Sequence, residues 1–327
     1  MLNLINIFGE ELMKKILAIA IACLSLNAQA AYPDKPIRLI VPFPVGSITD
    51  VVARTLAESM GSNLGQSIVV DNMGGASGII GTSAAVNAAP DGYTLLMVGV
   101  TTGASNVSAF KSLKYDPRTD FTPIGLIAEG PFLLVSSTSL PVKTTKQLIE
   151  YGKKNPNALS YGYGSGSAQM CTVQLLTMGN FQATGVSYRG VPQAMTDLIG
   201  GSIQFTIADF VNGLTAYKAG QVNALGVTTK TRSPLAPEIP TLAESGVPGY
   251  DLTVWFGLAG PAKLPADIVS KLSKSLNDAL TNPNLKKRFV TSGLVTSSST
   301  PQEFGKLIES DITKWGKIFQ ASGLEQQ

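Results

Sequence analysis

Three short segments rich in Gly, Ser and Thr carry the chemistry this sequence offers: Gly46-Ser47-Ile48-Thr49-Asp50, Gly99-Val100-Thr101-Thr102-Gly103 and Gly164-Ser165-Gly166-Ser167-Ala168. Each follows an apolar run with strand character and opens a helical pattern. In α/β sheets, ligands settle beyond the carboxyl ends of the strands. A helix N-terminus at that place presents unpaired N–H groups and the positive end of a dipole, and so holds anions. Ser and Thr hydroxyls add donors, and Gly lets the backbone approach closely. None of the three turns contains Lys or Arg. The chemistry they fit is capture of a carboxylate by neutral donors. Taken singly, each also reads as an ordinary strand-to-helix turn with a Ser or Thr cap.

Composition narrows the choice further. The chain has 327 residues, 33 Gly, 2 Cys and no His. Without histidine there is no Ser-His-Asp or Cys-His nucleophilic machinery and no imidazole metal ligand. No catalytic residue, metal or cofactor is expected. Gly162-x-Gly164-x-Gly166 resembles a dinucleotide loop, but its spacing is wrong for one. Lys plus Arg is 25 against 22 Asp plus Glu, a net charge of +3 in a chain with only 14% charged residues. That balance gives no reason to expect nucleic acid. The densest basic cluster, Lys286-Lys287-Arg288, reads as a solvated helix face.

The N-terminal region reads as an export signal. Met13-Lys14-Lys15 precedes an apolar run over 16–26, and Ala28-Gln29-Ala30 is a small-x-small cleavage pattern. Glu10 and Glu11 suit the start of a signal poorly, which favours Met13 as the true start. Cleavage after Ala30 removes Cys23 and leaves Cys171 as the lone cysteine. The alternative is lipidation at Cys23, for which Ala20-Ile21-Ala22 is a poor preceding motif. The expected compartment is the periplasm.

The elements that must position the turns alternate. Ile37–Val41 is a strand. Val52, Leu56 and Met60 then form one helical stripe, and strands over 67–71 and 94–98 flank a second helix beyond the loop 72–78. This predicts an α/β architecture with a parallel sheet. Further strands are expected over 132–136, 159–163, 205–208, 224–228 and 253–259, with helices over 144–154, 193–199, 266–280, 284–292 and 301–321. Asp209 ends an apolar strand. It fits an acceptor for a ligand ammonium or water, and equally a cap for a helix over 211–217. Trp255 and Phe256 are expected in the core.

The ordered set of motifs resembles a known family. Tyr32-Pro33-x-Lys35-Pro36-Ile37, Val41-Pro42-Phe43, Val70-Asp71-Asn72, Gly75-Ala76-Ser77-Gly78, Pro90-Asp91-Gly92-Tyr93-Thr94, Asp197-Leu198-Ile199-Gly200-Gly201 and Trp255-Phe256-Gly257 stand in the order found in Bug, or TctC-type, solute-binding receptors of tripartite tricarboxylate transporters. The resemblance implies a two-lobed periplasmic-binding-protein type II fold with a ligand cleft between the lobes. Lobe 1 would span 31–132 plus 255–327, and lobe 2 would span 133–254.

By the same resemblance, the ligand-binding residues would be Phe43, Gly46, Ser47, Thr49 and Asp50 in the first loop, and Thr101, Thr102 and Asn106 in the second. Gly166, Ser167, Ala168, Gln169, Tyr188 and Asp209 would face them from lobe 2. The implied partners are a small carboxylate (a di- or tricarboxylate, an aromatic acid or an acidic amino acid) and the membrane subunits of the transporter. The alternative role is presentation of ligand to a sensor kinase. An exported hydrolase using Ser47 or Ser167 is a remote third reading, since no Ser-x-x-Lys motif lies at either serine. The expected state is a monomer. Ser47 stands where the family has a second glycine, and Gly103 and Met170 stand where it has histidines. A more apolar pocket, suited to an aromatic acid, would follow.

Overall fold

A computed structural model describes residues 32–326. The expected signal peptide, the start at Met13 and the question of Cys23 lie outside the described residues. Among the described residues, no helix is long and apolar enough to cross a membrane. Cys171 is free and buried there.

The first sheet has the order β11-β4-β10-β3-β1-β2. β1 (Ile37–Val41) lies between β2 (Ile68–Asn72) and β3 (Thr94–Gly99), parallel to both. β10 (Val254–Pro261) then runs antiparallel to β3 and to β4 (Phe121–Gly130), and the short β11 (Val295–Thr296) closes the edge. The expected parallel sheet is therefore only the N-terminal half of a mixed sheet. β4 gave no pattern in the sequence because Pro123 and Gly125 interrupt it.

The second sheet has the order β7-β6-β8-β5-β9. β6 (Ser160–Tyr163) is parallel to β7 (Thr184–Ser187) and β8 (Phe205–Asp209). β5 (Phe132–Ser137) is antiparallel to β8 and to β9 (Val222–Val227).

Each sheet supports its own lobe. On the first, α1 (Ile48–Leu64) buries Val52, Leu56 and Met60; Ser47 caps its start and Gly65, at φ 70°, ends it. α2 (Ile79–Val86) follows a 3₁₀ turn at Ala76–Gly78. After β3 the chain winds as a wide π-type turn, Thr101–Ser105, into the short α3 (Asn106–Ala109). On the second sheet sit α4 (Thr145–Lys154), α5 (Gly166–Gly179), α6 (Val191–Ile199) and α7 (Phe210–Lys218). Leu133, Val135, Met195, Leu198 and Phe210 belong to the core of this lobe.

α8 (Ala266–Thr281), α9 (Pro283–Thr291) and α10 (Pro301–Ala321) return to the first sheet. Thr300 and Glu303 make a capping box at the start of α10, and Phe304, Ile308, Asp311, Trp315 and Phe319 form its buried stripe.

The chain crosses between sheets at Pro131 and again near Thr253. Thr228 ties the two crossings together. Its hydroxyl accepts the Phe132 N–H at 2.9 Å, its N–H donates to the Phe132 carbonyl at 3.1 Å, and its carbonyl accepts the Leu252 N–H at 2.9 Å.

Candidate functional site

The first loop is set by Asp50. Gly46 turns the chain at φ +81°, a conformation glycine adopts without steric cost. Its N–H donates to Asp50 Oδ2 at 3.1 Å, and the Asp50 N–H donates to Ser47 Oγ at 3.3 Å. Asn72 Nδ2 bridges Asp50 Oδ1 and the Phe43 carbonyl, and Arg54 Nε pairs with Asp50 Oδ1 at 2.9 Å. Burial pushes the Asp50 carboxyl up, but Arg54, the Gly46 N–H and Asn72 together outweigh it and hold the group below its usual range. Asp50 thus fixes the loop that presents Ser47 and Thr49.

Between the lobes lies a cavity of about 40 Å³. Phe43, Phe132, Trp255 and Phe256 form its aromatic walls, and Ile48, Val100, Val191 and Val254 its aliphatic ones. The polar lining is made of hydroxyls, from Ser47, Thr49, Thr101, Ser165 and Ser167, together with Asp209. Four helices begin at this cavity: α1 at Ser47, α5 at Ser165, α6 at Gly190 and α7 at Asp209. No Lys or Arg lines it. The lobes touch around it. A Cβ on Gly190 would lie 2.6 Å from Pro44 Cγ, so only glycine lets α6 start this close to the first loop.

Asp209 is the one ionisable group of the lining. Its carboxylate accepts Asn212 Nδ2 at 3.2 Å and the Ile48 N–H from the opposite lobe. Burial raises its pKa to about 6, against the lowering effect of those two donors. Asp209 does precede a helix, α7, but its side chain makes no capping bond to the helix backbone. The capping alternative is not realised.

Of the residues expected from the sequence, Phe43, Ser47, Thr49, Thr101, Ser167 and Asp209 are brought together on this cavity. The others lie outside its lining. Gly46 and Asp50 shape the first loop. Thr102 Oγ1 accepts the Gly99 N–H at 3.4 Å. Asn106 Nδ2 donates to the Ser77 carbonyl and to the Tyr115 hydroxyl, while its buried Oδ1 has no partner. Gly166 abuts Ser105 and Asn106, and the Ala168 N–H donates to Ser165 Oγ at 3.2 Å.

Gln169 turns to a separate, open groove of about 1030 Å³ with Tyr161, Tyr163 and Phe181. Lys153, Asn157, Asn180 and Gln182 also line that groove. The Tyr188 hydroxyl donates to Asp197 Oδ2 at 2.7 Å, and burial together with that carboxylate raises its pKa to about 12.

Several lining residues escaped sequence reasoning. Phe132 and Val254 sit where the chain crosses between the two sheets, a place with no composition signal of its own. Trp255 and Phe256 were expected in the core. Both are buried, and both also wall the cavity. Trp255 is held by its indole N–H donating to Asp311 Oδ2 at 2.6 Å, a carboxylate that also accepts from Trp315 at 3.1 Å. Among the described residues there is no group of three or more acidic or cysteine side chains able to hold a metal.

Comparison with known proteins gives this geometry a family. A model of the tripartite tricarboxylate transporter family receptor matches residues 52–324. The chain belongs to this receptor family. A relative in Agrobacterium vitis, described as a UPF0065 protein in the TAR-I ttuE-ttuC' intergenic region, is 37% identical and covers 91% of this chain and 87% of its own. Among solved structures, Rpa4515 of R. palustris with adipate is 33% identical at TM-score 0.88, over 90% of this chain and all of that one. MatC from Rhodopseudomonas palustris with bound malate is 30% identical at TM-score 0.84, over 88% of this chain and all of that one. This transporter-receptor chain has the two-lobed periplasmic-binding-protein fold that its motifs implied, and its family is one of solute-binding receptors, which is not an enzyme class.

Proposed function

We propose that this chain is a periplasmic receptor that captures a small carboxylate in the interlobe cavity and delivers it to the membrane subunits of a tripartite tricarboxylate transporter. The observation that carries this reading is the convergence of four helix N-termini and five hydroxyls on one cavity that no cation lines. Helix N-termini stabilise anions, and in a cavity shielded from water such donors act strongly. Two relatives of the same fold hold the dicarboxylates adipate and malate. Phe43, Ser47, Thr49, Thr101 and Ser167 contact the ligand in this reading, and Gly46, Asp50, Gly166 and Ala168 hold the loops that present them.

A cavity of about 40 Å³ is far below the roughly 300–1,000 Å³ of ordinary small-molecule sites. Ligand entry therefore requires the lobes, 31–132 plus 255–327 on one side and 133–254 on the other, to part about the crossings tied by Thr228. Closure then sequesters the ligand.

The test is a thermal-shift panel of di- and tricarboxylates, aromatic acids and acidic amino acids, each run beside its neutral amide counterpart. A carboxylate at about 100 times its Kd adds about 2.7 kcal/mol of stability. At least one carboxylate raises Tm while its amide does not. A complete panel without a carboxylate hit contradicts the reading.

A further inference from the structure

Asp209 poses a problem for any carboxylate that enters this cavity. Its side chain is buried in the lining beside Thr49 and Ser167, the residues that would hold the ligand. No lining residue carries a positive charge. The elements around Asp209 offer only neutral groups to it. From α1 comes the Ile48 N–H; of that helix's charged residues, Asp50 and Arg54 are paired with each other and Glu58 pairs with Arg288. From α7 comes Asn212, with Lys218 at the far end of the helix. From β5 the register partner is Phe132, and β10 contributes Val254, Trp255 and Phe256.

Two carboxylates confined together away from water do not both ionise, because neither their repulsion nor their lost hydration is repaid. No cation compensates, and Asp209 shares with the ligand the helix N-termini and hydroxyls that would hold an anion, so one proton held by the pair removes the repulsion.

We propose that Asp209 is the proton-binding residue of the site: the carboxylate ligand and one proton from solvent are captured together, and Asp209, neutral in the complex, donates its O–H to the ligand. This rests on the carboxylate reading given above. The balance is simple. Ionised Asp209, the ligand anion and one proton give a complex one charge less negative than the ligand and Asp209 carried apart. Burial already disfavours the charge on Asp209 even without a second anion, raising its pKa against the lowering effect of Asn212 and the Ile48 N–H. Asp209 thereby sets both the ligand class and the response to pH: an anion entering beside it must be able to accept an O–H, and it binds more tightly as the medium becomes more acidic.

Isothermal calorimetry tests this with adipate, malate and benzoate as probes. Each is titrated between pH 6.5 and 7.5 in two buffers of different ionisation enthalpy, which counts protons directly. Wild-type protein is expected to take up about one proton per ligand, and its affinity to rise about tenfold for each pH unit lowered. Asp209→Asn keeps an acceptor for the Ile48 N–H and is expected to bind without proton uptake and with a flat pH profile. Binding by the wild type with no proton uptake overturns this inference alone, and the wild-type count stands whether or not the variant folds. Unchanged uptake in a folded Asp209→Asn protein also overturns it. Failure of all three probes to bind overturns this inference, and the carboxylate reading falls with it when the full thermal-shift panel also gives no hit.

Discussion

Thr101 and Ser167 meet across the cavity from opposite lobes. Their hydroxyl oxygens lie 2.9 Å apart, and the Ser167 N–H donates to Thr101 Oγ1 at 3.1 Å. The Thr101 hydroxyl thus sits at the start of α5 and latches the two lobes together. In the proposed carboxylate reading it holds a position that a ligand oxygen would take. Ser165 Oγ, 3.2 Å from Ser167 Oγ, extends the same chain of hydroxyls.

Thr101→Val keeps the shape of the side chain and removes the hydroxyl. In the closed arrangement it strands the Ser167 N–H, at a cost of about 1–3 kcal/mol that water repays once the lobes part. Small-angle scattering of the ligand-free variant is expected to show a larger radius of gyration than wild type. Identical scattering curves would show that the latch contributes nothing to closure.

Ser167→Ala and Thr49→Ala each delete one hydroxyl from the lining while leaving the caps Ser47 and Ser165 in place. Each is expected to weaken carboxylate binding by about tenfold, the value of one hydrogen bond to a charged group, with Tm close to wild type. Calorimetry and a melting curve on the same samples check both halves. Undiminished affinity in both variants removes these residues from the site.

Asp209 gives stability a sign-specific pH dependence. Its folded-state pKa of about 6 lies above the ordinary aspartate value of 3.8. The native state therefore binds more protons than the unfolded chain between those values, and stability falls as pH rises through that window. The penalty is complete above about pH 6 and absent well below pH 4. Asp209→Asn is expected to stabilise the ligand-free protein at pH 7 by on the order of 2–3 kcal/mol, with the gain gone by pH 4. Denaturant titrations at the two pH values measure it, and an equal effect at both contradicts the assignment.

Gly103 packs directly against a wall of the cavity. A Cβ there would lie 2.7 Å from Trp255 Cη2 and 2.8 Å from Val98 Cγ1. The indole of Trp255, anchored on Asp311, fills the space. Gly103→His is therefore expected to destabilise the protein by at least about 2 kcal/mol through overpacking, and to displace a cavity wall. A variant as stable as wild type would mean that Trp255 yields easily.

The elements with strong periodicity or caps were legible. The Ser47 cap with the Val52-Leu56-Met60 stripe, and Pro301–Ala321 with its Thr300 cap, follow from local chemistry alone. β4 and β7 were not, since Pro123 and Gly125 break the one, and the other is a four-residue edge strand exposed throughout. The antiparallel place of β10 depends on a return of the chain from the second lobe, which no local pattern encodes. The same division holds at the cavity. Ser47, Thr49, Thr101 and Ser167 stand in turns whose composition announces them. Phe132 and Val254 reach the cavity only because the two crossings lie side by side. Gln169 stands two residues from Ser167 in the same turn of α5 yet faces another groove, a matter of helical phase rather than residue type.

The most direct test of carboxylate capture between the lobes is a crystal structure of the protein with the strongest carboxylate of the thermal-shift panel. The account predicts density for the ligand in the interlobe cavity, with carboxylate oxygens within about 3 Å of backbone N–H groups at the start of α1 or α5 and of the Thr101 or Ser167 hydroxyl, and a second acceptor oxygen facing Asp209. Density for the ligand in the open groove beside Tyr161 and Gln169, with the interlobe cavity unchanged, would contradict it.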